Sequence, residues 1–225
     1  MRIFSPNFER EGPGVLKDEP PKEGISLFFQ LFIMRFWDIL KLNIIFILYC
    51  IPIVTIVPAL SALTSITMSM VQNKHIYILS DFQKAFKDNW KQSVMCSFII
   101  CFIFTLLGIS LVFYFRLSQE KTIFYAIFFL CLFITILLGL AWLYIMTLIT
   151  TVSLSLKDIF KNSLLLSIVC LKNTLFGSLA CAIILGLNIF FFPLTFPFFL
   201  IFTFSILSFT TSFATWPGIK KFIIK

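Results

Sequence analysis

The stretch of sequence that decides the fold lies at residues 36–73 and reads FWDILKLNIIFILYCIPIVTIVPALSALTSITMSMVQN. No charged residue occurs at positions 42–73, a run of 32 residues. A helix rises about 1.5 Å per residue, so about 20 residues cross the roughly 30 Å of bilayer hydrocarbon and this run is too long for one span. Pro52 and Pro58 interrupt it, and proline disfavours helix at the preceding residue. The stretch predicts two membrane spans, at about residues 39–56 and 58–73.

Composition places the whole chain in the membrane class. Of its 225 residues, 60% are hydrophobic and only 12% are charged, and 31 are phenylalanine. A soluble domain of this size carries roughly 25% charged residues. Half of that charge, combined with a surplus of phenylalanine, excludes an ordinary soluble fold.

Three further uncharged runs, at residues 92–115, 122–156 and 173–219, complete the predicted membrane domain. The first two predict one span each, and the third is long enough for two spans separated at Pro193 and Pro197. These four spans are predicted at about residues 93–115, 122–146, 173–192 and 198–216. The fold class predicted is therefore an all-α membrane helix bundle with six transmembrane helices.

The remaining segments are polar or amphipathic. They predict a polar leader, a membrane domain that includes interfacial helices, and a basic tail. The predicted bounds are 1–24 for the leader, 25–219 for the membrane domain, about 25–38, 81–91 and 156–171 for the interfacial helices, and 220–225 for the tail.

Basic residues indicate how the chain is threaded. With six spans, 16 of the 18 lysines and arginines fall on the side of both termini, and only Arg116 and Lys121 fall on the other. Basic residues near span ends stay in the cytoplasm, so both termini are predicted to be cytoplasmic in a bacterial plasma membrane. A five-span alternative, with one broken span at residues 42–73, would divide these charges between the two sides. The same bias explains the net charge of +8, so no nucleic-acid partner is expected.

The segment at residues 80–91 predicts an amphipathic cytoplasmic helix. Ser80 and Gln83 fit a capping box, in which each side chain bonds an unpaired amide at the helix start. Aromatic residues fall on one face and lysines elsewhere, as in helices that lie on anionic membrane surfaces. Such a helix serves as a lipid anchor or as a docking surface for another subunit. The residues expected to contact a partner or the membrane surface are Phe82, Phe86, Trp90, Lys84, Lys87 and Lys91.

Apart from Lys41 at the start of the first, the predicted spans contain no acidic or basic residue, which argues against an ion-coupled transporter. Amides and hydroxyls are present, and such groups more often serve helix packing than substrate binding. The alternative is a polar path between the helices. Its candidate residues are Asn43, Thr55, Ser61, Thr64 and Asn188.

Signals for enzymes and metals are missing from the sequence. It contains no G-x-S-x-G, Walker A or H-E-x-x-H motif. The six cysteines form no C-x-x-C pair, and the single histidine, His75, has no neighbouring carboxylate. We therefore expect a non-enzymatic protein without a catalytic residue, cofactor or metal.

The order of several short motifs resembles the YesL-like family of bacterial membrane proteins, a family of unknown function. The resemblance covers residues 1 to about 95. Its motifs are FEREGPGV at 8–15, KDEP at 17–20, FWD at 36–38, KLN at 41–43, PIVTI at 52–56, DF at 81–82, AFK at 85–87 and NWKQ at 89–92.

This resemblance implies a role beside carbohydrate uptake systems and carries no catalytic residue with it. The expected function is that of an accessory subunit or assembly factor of a carbohydrate ABC importer, which binds the permease subunits within the lipid bilayer. The alternative function is a small autonomous transporter or channel that uses the polar path.

Overall fold

The computed structural model describes residues 24–224, which are all-helical with no strand. The predicted leader up to residue 23 and the last residue of the tail lie outside this range. In chain order the helices are α1 (Gly24–Met34), α2 (Phe36–Tyr49), a 3₁₀ turn (Ile53–Thr55), α3 (Ile56–Val71), α4 (Ile78–Asp88), α5 (Trp90–Glu120), α6 (Phe124–Thr151), α7 (Leu156–Val169), α8 (Leu171–Phe190), α9 (Phe196–Phe198), a π-helical turn (Phe199–Thr203) and α10 (Phe204–Phe222).

The chain divides into two units, residues 1–34 and residues 35–225. In the first unit, α1 is a short apolar helix without a charged residue. The rings of Phe28 and Phe32, one turn apart, stack with centroids separated by 6.2 Å. The sequence predicted one interfacial helix over 25–38, whereas α1 ends at Met34 and a new helix begins at Phe36.

In the second unit, the connection between α2 and α3 occurs earlier than the sequence predicted. Helix α2 ends at Tyr49, and Pro52 adopts an extended conformation before the 3₁₀ turn. The Thr55 hydroxyl donates to the carbonyls of Tyr49 and Pro52, which closes the turn. Pro58 sits in the first turn of α3, where amides have no helical partner and proline is tolerated. Only Pro52 therefore acts as a breaker.

The other end of α3 has a Schellman motif. The amide of Lys74 donates to the carbonyl of Ser69, and the amide of Asn73 to that of Met70, both at 3.0 Å. Asn73 has φ = 54°, a left-handed conformation that asparagine tolerates better than most residues. Arg35, just before α2, donates to the Lys74 carbonyl at 3.0 Å. The start of α2 is thus fastened to the end of α3.

Five helical segments are long and apolar enough to cross a membrane: Ile53–Val71, Trp90–Glu120, Phe124–Thr151, Leu171–Phe190 and Phe196–Phe222. Helix α2 has 14 residues, a rise of about 21 Å, which is shorter than the roughly 30 Å of hydrocarbon. Residues 24–224 therefore form a helical membrane protein with five candidate spans. The sixth span, the cytoplasmic position of both termini and the plasma membrane remain predictions.

Helix α3 is the centre of the second unit. It packs against α2, α4, α5, α6 and α10, and most of its residues are buried. Helix α6 contributes to the core only through its last third, residues 141–149. The preceding part of α6 exposes large apolar side chains, as expected of a surface that faces lipid.

Candidate functional site

Helix α4 and its surroundings form the first candidate site. The helix begins at Ile78, two residues before the predicted capping residue Ser80. Its N-terminal amide, that of Tyr77, donates to the Asp81 carboxylate at 2.8 Å. The predicted Ser80–Gln83 capping box is therefore wrong, because the helix starts three residues, nearly one turn, earlier and Asp81 supplies the acceptor. An equivalent cap does occur at α7, where the Ser155 hydroxyl accepts from the Asp158 amide.

The aromatic face of α4 is packed against protein. The Tyr49 ring lies 5.1 Å from the rings of both Phe82 and Phe86, and the Phe86 ring lies 5.1 Å from that of Trp90. Phe82 is fully buried, so it supports the fold and is not available to a partner. Phe86 and Trp90 remain half-buried. These four rings join the end of α2, α4 and the start of α5.

The polar face of α4 is open. Lys84 and Lys87 on this face are exposed, as is Lys91 at the start of α5, and none of the three takes part in a described ion pair or hydrogen bond. Near the start of α5, the Gln92 side chain donates to the Leu154 carbonyl at 2.7 Å. This hydrogen bond holds the segment before α7 next to the end of α4. The structure thus presents lysines on a helix whose other side is anchored.

A second candidate site is a buried row of hydroxyl groups between α3 and α10, which we call the hydroxyl seam. The Thr67 hydroxyl lies 2.9 Å from those of Ser208 and Ser212. The Ser208 hydroxyl also reaches that of Thr64 at 3.5 Å. Ser61 lies one turn before Thr64, and its hydroxyl is buried without a partner. Hydrogen bonds between small polar residues are a common means of helix association in membranes.

Asn43 adjoins the seam and binds the backbone at the start of α10. Its amide nitrogen donates to the Leu200 carbonyl at 2.7 Å, and its oxygen accepts from the Ser205 amide at 2.9 Å. The π-helical turn at residues 199–203 interrupts the regular hydrogen-bonding pattern of the helix. Asn43, which is fully buried, thus bonds backbone groups within this turn and just after it.

Asn188, near the end of α8, binds the same turn from another side. Its side-chain oxygen accepts from the Thr203 hydroxyl at 3.2 Å, and its amide donates to the Ile184 carbonyl at 2.7 Å. The structure therefore brings four of the five polar-path residues to the first half of α10 or to the seam beside it. Thr55 is separate, because its hydroxyl closes the α2–α3 turn.

The sequence reading missed the α10 side of the seam. Ser205, Ser208, Ser212 and Thr215 recur every three or four residues, the period of one helical face, and all four are buried. The same spacing was evident in the Ser61–Ser69 region. The same search for regularly spaced hydroxyl residues, applied to positions 203–215, would have predicted that this helix packs against α3.

Among residues 24–224, no group of three or more His, Cys, Asp or Glu side chains is placed to hold a metal ion. The six cysteines are free thiols. What this geometry can do chemically is donate and accept hydrogen bonds inside the bundle and present charged side chains on α4.

Comparison with known proteins adds one finding. No curated protein and no solved structure matches the chain. Residues 39–111, from α2 into α5, match the family described as a protein of unknown function, DUF624. A family of unknown function is thus supported for the part of the chain that contains α2, α3, α4 and the first two thirds of α5.

Proposed function

We propose that this chain is a non-enzymatic membrane protein that serves as an accessory subunit or assembly factor of a carbohydrate ABC importer. It would act by binding the importer's transmembrane subunits in the bacterial plasma membrane. The link to carbohydrate import rests on the resemblance to the YesL-like family. The geometry supports only the more general part of the proposal, which is that the protein binds a partner and does not itself transport or catalyse.

The observation that carries the proposal is the internal pairing of the polar groups at depth. The Asn43 side chain bonds two backbone groups of the α10 region, and the hydroxyls of Thr67, Ser208 and Ser212 bond one another. A transport path needs polar groups that face a solute. Groups already committed to helix packing favour a protein whose function lies on its surface.

The surface that best suits a partner is the polar face of α4. Its lysines project from a helix fixed on the opposite side by the Tyr49–Phe82 contact. A fixed helix loses little conformational entropy on binding, and preorganisation of this kind favours affinity.

The test is purification of tagged protein from native membranes in mild detergent, with co-purifying proteins identified by mass spectrometry. We expect permease subunits in near-stoichiometric amounts. Replacing Lys84 and Lys87 with Ala should reduce the recovery of permease subunits several-fold, because it removes the proposed contacts. The fold should be unaffected, because both side chains are exposed and make no described contact within the protein.

The matched control is Lys157→Ala with Lys161→Ala on α7, where two lysines are likewise exposed. This pair should leave recovery unchanged. Equal recovery with both double variants would refute the α4 docking surface. Purification of the chain without any permease subunit would refute the accessory role itself.

A second candidate function, an autonomous transporter or channel, is favoured by one feature. The π-helical turn is flanked by Asn43 and Asn188, and interrupted helices with polar side chains line the sites of many transporters. Flux of a sugar or an ion into liposomes that contain only this chain would support it. Absence of flux from correctly folded protein would leave the accessory role.

A further inference from the structure

The connection between α8 and α9 is unusually apolar for a turn. Residues 191–198 read FFPLTFPF, and no charged residue occurs from position 173 to position 219. The side chains are also outward-facing: Phe190 is 81% exposed, Leu194 78% and Phe192 62%. In a turn that reaches water, such exposure of large apolar groups would be costly.

The protein pairs part of the backbone of this turn. The Thr195 amide donates to the Phe191 carbonyl at 3.3 Å, and the Phe196 amide to the Pro193 carbonyl at 3.0 Å. The Thr195 hydroxyl donates to the Asn188 carbonyl. Just beyond the turn, the Asn43 side-chain amide donates to the Leu200 carbonyl. Non-helical backbone is tolerated within a membrane only where the protein supplies such partners.

The length of α8 agrees with this picture. Lys172 is the second residue of α8 and Phe190 the last, which gives a rise of about 27 Å at about 1.5 Å per residue. That is less than the roughly 30 Å of hydrocarbon. If Lys172 lies at one membrane surface, the end of α8 does not emerge from the other.

The α5–α6 hairpin provides the contrast. From Lys91 to Arg116, both on α5, the rise is about 37 Å, which exceeds the hydrocarbon thickness. Its turn is polar, with Gln119, Glu120 and Lys121 in sequence, and Ile123 is 75% exposed there. One hairpin is thus long and ends in charge, and the other is short and ends in phenylalanine.

We propose that the tip of the α8–α10 hairpin, residues 190–198, stays immersed in the bilayer and that its exposed side chains contact lipid acyl chains. The Thr195 hydroxyl before the tip's end and the Asn43 amide just beyond it then supply hydrogen bonds to the Asn188 and Leu200 carbonyls that water would supply beside an ordinary loop. The Asn188 side chain holds the far side of the tip by accepting from the Thr203 hydroxyl.

The test is site-directed spin labelling in lipid bilayers. In a chain whose six native cysteines are replaced by Ala, a label is placed by Leu194→Cys, by Phe190→Cys or, as the control in the other turn, by Ile123→Cys. Collision with oxygen, which concentrates in hydrocarbon, is compared with collision with a water-soluble nickel chelate. We expect the oxygen-to-nickel ratio to be several-fold higher at positions 190 and 194 than at 123.

Two results would overturn the proposal. Strong nickel collision at position 194 would place the tip in water. Weak collision with both reagents would mean that another protein surface covers it. A second experiment keeps the proposal testable if the cysteine-free chain does not fold: in the native background, Leu194→Lys should sharply reduce the yield of folded protein while Ile123→Lys should not. Equal yields would also contradict the proposal.

Discussion

At the scale of single residues, close helix contact depends on two glycines. A Cβ atom added at Gly177 on α8 would lie 2.5 Å from the Cβ of Ala214 on α10. One added at Gly218 would lie 2.9 Å from the Cys170 sulfur. Small residues allow membrane helices to approach closely, and packing across that approach is what holds them together. Gly177 therefore determines the α8–α10 distance.

Gly177→Ala should lower the free energy of unfolding by about 1–3 kcal/mol, the usual cost of overpacking a well-packed site. The control is Gly186→Ala on the same helix, where the added Cβ meets nothing within 4 Å. It should be neutral or slightly stabilising, because alanine favours helix over glycine. Thermal unfolding in detergent measures both variants, and an equal effect at the two positions would contradict the assigned contact.

At the scale of helices, the start of α10 depends on a side chain from α2. Loss of the Asn43 amide would remove the side-chain partner of the Leu200 carbonyl and of the Ser205 amide in the core. Each unpaired buried group costs about 1–3 kcal/mol. We expect Asn43→Leu to destabilise the fold clearly, whereas Asn162→Leu, at a half-buried position on α7, should change it little.

Chemical unfolding of both asparagine variants would measure this difference. If Asn43→Leu were as stable as the native chain, the turn at residues 199–203 would have to satisfy its own backbone. Hydrogen exchange at the Ser205 amide reports the same event locally: its protection should fall in the variant, since its acceptor is gone.

The same helices show where sequence reasoning succeeded and where it did not. Hydropathy predicted the long helices, because a run of apolar residues needs no partner to be recognised. It misplaced the α2–α3 turn, because Pro52 and Pro58 look alike in sequence and only their position relative to the helix start separates them. It also predicted an open aromatic face on α4, since nothing local reveals that Tyr49 covers Phe82.

The candidate site residues also divide into those with a local sequence signal and those without one. Asn43 and Asn188 could be selected because amides are rare in apolar runs. Their partners Leu200 and Thr203, however, lie 157 and 15 positions away, respectively. A long-range pairing of one side chain with the backbone leaves no periodic signal. The hydroxyl seam does leave one, on both α3 and α10, and is the part of the site that sequence alone could have completed.

At the scale of the whole molecule, α2 and α3 decide which side of the membrane the chain begins on. Arg35 before α2 bonds the Lys74 carbonyl after α3, and Thr55 at the start of α3 bonds the Tyr49 carbonyl at the end of α2. The two helices are therefore joined at both ends and run antiparallel. If α2, with its 14 residues, crosses the bilayer beside α3, such a pair returns the chain to the side from which it entered.

This arrangement predicts that both termini are cytoplasmic, in agreement with the distribution of lysine and arginine. Green fluorescent protein, which folds to a fluorescent form in the cytoplasm, should be fluorescent when fused at either terminus. Alkaline phosphatase, which is active only outside, should be active when inserted at residues 121–123 and inactive at the termini. A dark N-terminal fusion with a fluorescent C-terminal one would contradict the α2–α3 hairpin and favour five spans, because an odd number of crossings places the termini on opposite sides.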